Sequence, residues 1–148
     1  SDTGCRLAAP AKEAPARLSD LIAIQYADRW TLAVVRRMQR QQVDEITVGA
    51  EVIARRVVRV LLRTWSAPAE GARQAADRPF FGLYLPAHAD NRQSAQRSLI
   101  GPDDKFVPGG MVELDTGNAR YLIRFTQTLE RQAGWAWAMF SAVRKLGP

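Results

Sequence analysis

The apolar residues of this chain come in short runs rich in Val, Ile, Thr and aromatic side chains, and turn residues repeatedly interrupt them. That pattern constrains the fold more than any other feature. Short β-forming runs bounded by Gly, Pro, Asn and Asp are strands, and many such strands in succession make a sandwich or a barrel. The spacing predicts strands over residues 20–26, 30–38, 46–53 and 55–65, with a short strand entered from the turn at residues 1–4. Residues 27–29 are a tight connection, and the polar stretch 37–45 is a hairpin tip. Residues 8–17 hold two prolines and read as a connector. A helix over residues 48–63 competes with this, but Gly49 and the β-branched run Val57, Val58 and Val60 oppose it. Gly49 inside a strand implies a bulge, a bend or a close backbone approach.

The small, polar segment 66–78 reads as a linker or long loop. The apolar pattern resumes at 79–86, and 88–97 is polar and expected to be exposed. A turn at 101–104 precedes strands at 111–114, 119–127 and 135–143, with 115–118 as a hairpin turn and 128–134 as a link. Residues 135–140 also fit a helical turn. The expected fold is therefore all-β: a small antiparallel barrel over residues 1–65, then a second small β unit over 79–148. The two halves share a rhythm, either from duplication or from the common form of antiparallel meanders.

Across 148 residues, 47% hydrophobic and 24% charged side chains suffice for a packed core. Lys and Arg number 21 against 15 Asp and Glu, a net charge of +6, which favours anionic partners. A single cysteine, Cys5, forms neither an internal disulfide nor a CxxC metal site. His88 is the sole histidine, so a two-histidine zinc site is excluded. No GxSxG, Walker A, GxGxxG or HExxH pattern occurs. Asp103-Asp104 sits in a turn, where Asp is a local backbone partner. A non-enzymatic module without a resident cofactor or metal follows as the expectation. The run 57–62 is far shorter than the roughly 18–20 residues that span a bilayer, and no secretory leader is evident, so a cytoplasmic location is expected.

Arginines supply most of the basic character. Arg36, Arg37 and Arg40 cluster near the expected hairpin tip, and Arg55, Arg56, Arg59 and Arg63 follow on the next strand. Were these strands neighbours, one face would suit phosphates or RNA. Asp44, Glu45 and Glu51 neutralise part of that face. Trp135, Trp137, Met139 and Phe140 are either core or an interface anchor.

Three segments together resemble the PilZ family of small β-barrels. Ser1-Asp2-Thr3-Gly4 followed by Leu7 resembles the end of its Asp/Asn-x-Ser-x-x-Gly motif. Residues 30–37 are similar to its apolar strand running into a basic hairpin, and Val48-Gly49-Ala50-Glu51-Val52-Ile53 to the strand that follows. The resemblance covers roughly residues 1–65. It implies a signalling receptor for cyclic di-GMP that acts through contact with a partner protein. Ser1 would then meet the ligand, and Gly4 would allow close backbone approach. The family's Arg-x-x-x-Arg segment ahead of the serine has no counterpart here, which implies a piece of a longer protein or a divergent barrel. Arg36, Arg37, Arg55 and Arg56 are the candidate phosphate and guanine partners on chemical grounds. Two alternatives stand beside this: a protein-interaction scaffold that binds no nucleotide, and a small-barrel nucleic-acid binder. Self-association by strand exchange is compatible with all three.

Overall fold

The computed structural model describes residues 4–10, 12, 16–65, 78–92 and 95–148. Among these residues every regular element is a strand except one 3-10 turn, Asp103–Lys105. Among the described residues, no helix is long and apolar enough to cross a membrane. The strands are β1 (Gly4–Pro10), β2 (Leu21–Tyr26), β3 (Arg29–Gln42), β4 (Glu45–Ala54), β5 (Val58–Thr64), β6 (Phe80–Leu85), β7 (Ser98–Gly101), β8 (Met111–Asp115), β9 (Arg120–Gln132) and β10 (Trp135–Gly147). The all-β expectation holds.

The chain divides into two compact units: residues 1–57 with 88–95, and residues 58–87 with 96–148. The first is a curled four-stranded half-barrel in the order β1-β4-β3-β2, antiparallel throughout. The second is a closed antiparallel barrel in the order β10-β7-β6-β5-β8-β9.

The expected division at residues 65 and 79 differs from this one at two places. Strand β5 forms where expected, but it pairs with β6 and β8 in the closed barrel. The loop around residues 88–95 belongs with the half-barrel, where Asn91 bridges to Ala54. Of the linker segment 66–78, only Arg78 lies among the described residues.

Two hairpins are longer than their apolar runs. Strand β3 continues through the polar residues to Gln42, so the connection is only Val43-Asp44, and the pairs Met38–Val48, Gln39–Thr47 and Arg40–Ile46 carry the ladder. Likewise β9 runs through most of the expected link 128–134 and turns at Ala133-Gly134, where Gly134 holds φ 93°. Backbone hydrogen bonds extend these strands beyond the residues that bury side chains. The shared rhythm of the two halves is that of these hairpins, set in sheets of different strand order. Strand β1 extends into the expected connector and ends at Pro10, which an edge strand tolerates because a missing N–H there breaks no inner ladder.

Gly49 faces Arg37 beside a register shift between Val35 and Arg37, and a Cβ there would lie 3.4 Å from that of Arg37. This is the bulge and close approach that a glycine in a strand implies. Val60, Leu62, Leu99, Phe106, Val112, Leu114, Ile123, Phe125, Ala136, Ala138 and Phe140 form the barrel core. Residues 135–140 are strand and not a helical turn, and Trp135, Trp137 and Phe140 are buried. The indole N–H of Trp137 donates to Ser98 Oγ at 2.9 Å. These aromatics are core, leaving only Met139 partly exposed.

Candidate anion-binding cavity

The half-barrel carries a cavity of about 560 Å³, within the roughly 300–1,000 Å³ of small-molecule sites. Gly4, Cys5 and Leu7 of β1 form one wall. Ile24 and Tyr26 of β2, with Arg29, Trp30 and Thr31 of β3, form another. Val52 of β4, then Arg55, Arg56 and Asp90, complete it. Among the described residues that line it are three arginines and one acidic residue, Asp90.

Local sequence explains how each group arrives. Tyr26 and Arg29 are the closing pair of the β2–β3 hairpin, joined by the two-residue turn Ala27-Asp28. Ala27 holds φ 55°, the left-handed region where a Cβ is unfavourable. Tyr26 is 84% exposed and Trp30 58%. Neither aromatic is core, although the β-forming run around them reads as if it were.

Arg55 and Arg56 leave the end of β4 and are fixed by the loop 88–92. Asn91, buried, accepts at Oδ1 from the backbone N–H groups of Arg55 (3.1 Å) and Arg56 (3.0 Å), and its amide donates to Arg56 O at 2.9 Å. Arg92 N–H donates to Ile53 O at 2.9 Å. The same loop carries Asp90, whose carboxylate lies 3.6 Å from Arg56 Nε. His88 Nδ1 accepts the Asp90 N–H at 3.1 Å, a local loop contact. The Cys5 thiol is half-buried, and burial pushes its pKa up while the nearby Arg55 charge opposes that shift.

The structure brings together three of the six residues singled out in the sequence: Gly4, Arg55 and Arg56. Ser1 lies outside the described residues. Arg36 and Arg37 border a different, shallow surface with Arg6 and Gly49, which Gly4 and Cys5 also reach. Arg36 Nε meets Glu51 Oε2 at 2.8 Å, and Arg92 takes the other carboxylate oxygen at 2.6 Å. Arg40 donates to Val43 O at 2.6 Å and braces the hairpin turn.

The strands that carry these arginines are not sheet neighbours: Arg36, Arg37 and Arg40 lie on β3 of the half-barrel sheet, whereas Arg59 and Arg63 sit on β5 of the closed barrel. The Arg59 guanidinium lies 3.6 Å over the Phe81 ring. Arg29 was not singled out, and Tyr26 and Trp30, aromatics that would favour the nucleic-acid alternative on a basic face, could not be placed on a surface from sequence. Their signal in the sequence was two aromatics and an arginine clustered around a tight turn.

Other candidates fall to local structure. A second recess of about 520 Å³, lined by Ala8–Pro10 and Gln42–Glu45, holds Asp44 and Glu45 and suits no anion. Asp103 Oδ1 accepts the Asp104 N–H at 3.0 Å within the 3-10 turn, as a turn former does. Among the described residues, no three His, Cys, Asp or Glu side chains gather to hold a metal.

The chain has no significant match to a protein-family model, a curated protein or a solved structure.

Proposed function

We propose that the half-barrel is a non-catalytic receptor for a phosphate-bearing guanine dinucleotide, cyclic di-GMP, whose occupancy a partner protein reads. One observation carries this: Gly4 and three arginines border one cavity of ligand size. Guanidinium groups suit both phosphate oxygens and the O6/N7 edge of guanine, because each presents a planar fork of donors. Gly4, without a side chain, leaves the backbone open to close approach. Asp90 is the built-in competitor. A bound phosphate would draw Arg56 from it, and the loop 88–92 would feel that exchange directly through Asp90. The resemblance of residues 1–65 to PilZ barrels names the dinucleotide among phosphate ligands.

A nucleic-acid reading draws on a separate observation, the exposed Tyr26 beside those arginines. Isothermal titration of the chain with cyclic di-GMP, with GTP and a short RNA as controls, separates them. Selective binding of the cyclic dinucleotide, weakened roughly 10- to 100-fold by Arg55→Ala or Arg56→Ala, is the expected result, since a hydrogen bond to a charged group is worth about 1.5–3 kcal/mol. Absence of binding sinks the receptor reading. Tighter binding of RNA transfers the site to nucleic acid.

A further inference from the structure

We infer that two copies of the chain join by antiparallel pairing of their β2 strands, centred on Ala23, so that two half-barrel sheets become one. The inference rests on β2 itself and is independent of what the cavity binds.

A closed barrel has no edge strand, but the half-barrel sheet has two, β1 and β2. The two edges differ. Strand β1 carries Arg6 and ends at Pro10, a charge and a proline of the kind that blunt an edge against further pairing. Strand β2, Leu21-Ile22-Ala23-Ile24-Gln25-Tyr26, carries no charge, proline or glycine. Among the described residues it pairs with β3 alone, in a register without a bulge. None of its side chains is buried, Leu21, Ile22 and Ile24 included. A short, uncharged, β-forming edge of this kind is a template for another strand.

The hairpin fixes where its main-chain groups point. Tyr26 and Arg29 close a two-residue turn and so form a hydrogen-bonded pair. The same parity holds at Asp20, whose carbonyl accepts the Val35 N–H at 2.9 Å. Ile22 and Ile24 therefore turn their N–H and C=O groups toward β3, whereas Leu21, Ala23 and Gln25 turn theirs to the open edge.

That outward set is its own complement. With Ala23 opposite Ala23 of the second copy, Leu21 falls opposite Gln25, and every outward N–H and C=O finds a partner. Centring the pair on Ile24 would set Leu21 against the turn residue Ala27, and centring it on Ile22 would set Gln25 against the turn residue Ser19. In the Ala23 register Ile22 meets Ile24 of the other copy on both sides of the axis, an apolar cross-strand pair. A two-fold interface uses the same patch on both copies in this way. A foreign strand could match the backbone, but the doubled Ile22–Ile24 match belongs to this chain's own sequence.

Sedimentation velocity over a concentration series compares the full chain with Ala23→Lys, Ala23→Glu and, on the other edge, Ala8→Lys. All three substitutions fall on exposed positions, and far-UV circular dichroism checks that each variant folds. The parent is expected to dimerise. Ala23→Lys and Ala23→Glu each set like charges opposite one another at the axis and should weaken the dimer roughly tenfold or more. An equimolar mixture of the two should restore it, and Ala8→Lys should leave it unchanged. In hydrogen exchange of the parent, the amides of Leu21, Ala23 and Gln25 should gain protection with concentration, while those of Ile22 and Ile24, already bonded to β3, should not. That measurement needs no variant.

A parent that stays monomeric up to its solubility limit overturns the proposal and leaves the edge to a strand of another protein. A dimer that both Ala23 variants form as readily as the parent also overturns it, because the interface then lies elsewhere. Loss of the dimer in both variants without recovery in their mixture overturns the Ala23-centred register.

Discussion

Ala27 occupies the first position of a two-residue hairpin turn at φ 55°, a conformation that costs a side-chain-bearing residue about 1–2 kcal/mol and costs glycine almost nothing. The strain sits one residue from Tyr26 and two from Arg29. Part of that gain is offset by the greater freedom of glycine in the unfolded chain. Ala27→Gly is therefore expected to raise stability by about 0.5–1 kcal/mol, seen as a higher urea midpoint at unchanged slope. A lower midpoint would mean that the turn is not strained. At this scale the sequence was informative about chemistry and silent about exposure. Arg55 and Arg56 could be named because phosphate recognition favours arginine, and Gly4 only through the resemblance of residues 1–65 to PilZ barrels. Tyr26 and Trp30 could not be placed on a surface, since aromatics in a β-forming run also read as core, and both prove exposed. Arg36 and Arg37 show the converse. Clustered cations do not reveal which carboxylate answers them, and Glu51, fifteen residues on, takes Arg36.

The loop 88–92 is the element that holds two of the three cavity arginines in place. It reads as an exposed polar stretch, and most of it is, but Asn91 is 4% exposed and its side chain makes three hydrogen bonds to the backbone of Arg55 and Arg56. Nothing local in the sequence marks it, because its partners lie 35 and 36 residues away. Asn91→Leu keeps similar bulk but strands two N–H groups and a carbonyl near the end of β4. Each unsatisfied buried group costs about 1–3 kcal/mol, and water will reach some of them. The expected loss is about 2–4 kcal/mol in urea unfolding, together with weaker cyclic di-GMP binding in whatever fraction remains folded. Unchanged stability would show that the loop does not brace the arginines. The long hairpins carry the same lesson. Residues 39–42 and 128–132 are polar, yet they are strand, because an antiparallel ladder propagates from its apolar part by backbone pairing alone.

For the whole molecule, strand content was legible and strand membership was not. Alternation and turn residues mark where strands begin and end, but partner choice is set by pairing between distant segments. Strand β5 follows β4 after three residues, yet pairs with β6 and β8. Strand β10 pairs with β7 to complete the barrel ring. Such topologies must close long loops before any pairing rewards them, so all-β chains of this kind fold in milliseconds to seconds, where helical bundles take microseconds to milliseconds. Trp137 reports the decisive closure, because its indole N–H donates to Ser98 Oγ across the β10–β7 pair in a fully buried setting. In a Trp30→Phe, Trp65→Phe chain, stopped-flow dilution from urea should return native emission with a relaxation of milliseconds or slower. Ser98→Ala leaves that indole N–H without its partner and is expected to cost about 1–3 kcal/mol. Should the Ser98 bond form only after the folding transition state, the whole cost will appear as faster unfolding, with refolding unchanged. Full recovery of native emission within the mixing dead time would contradict a barrel closed by non-local pairing.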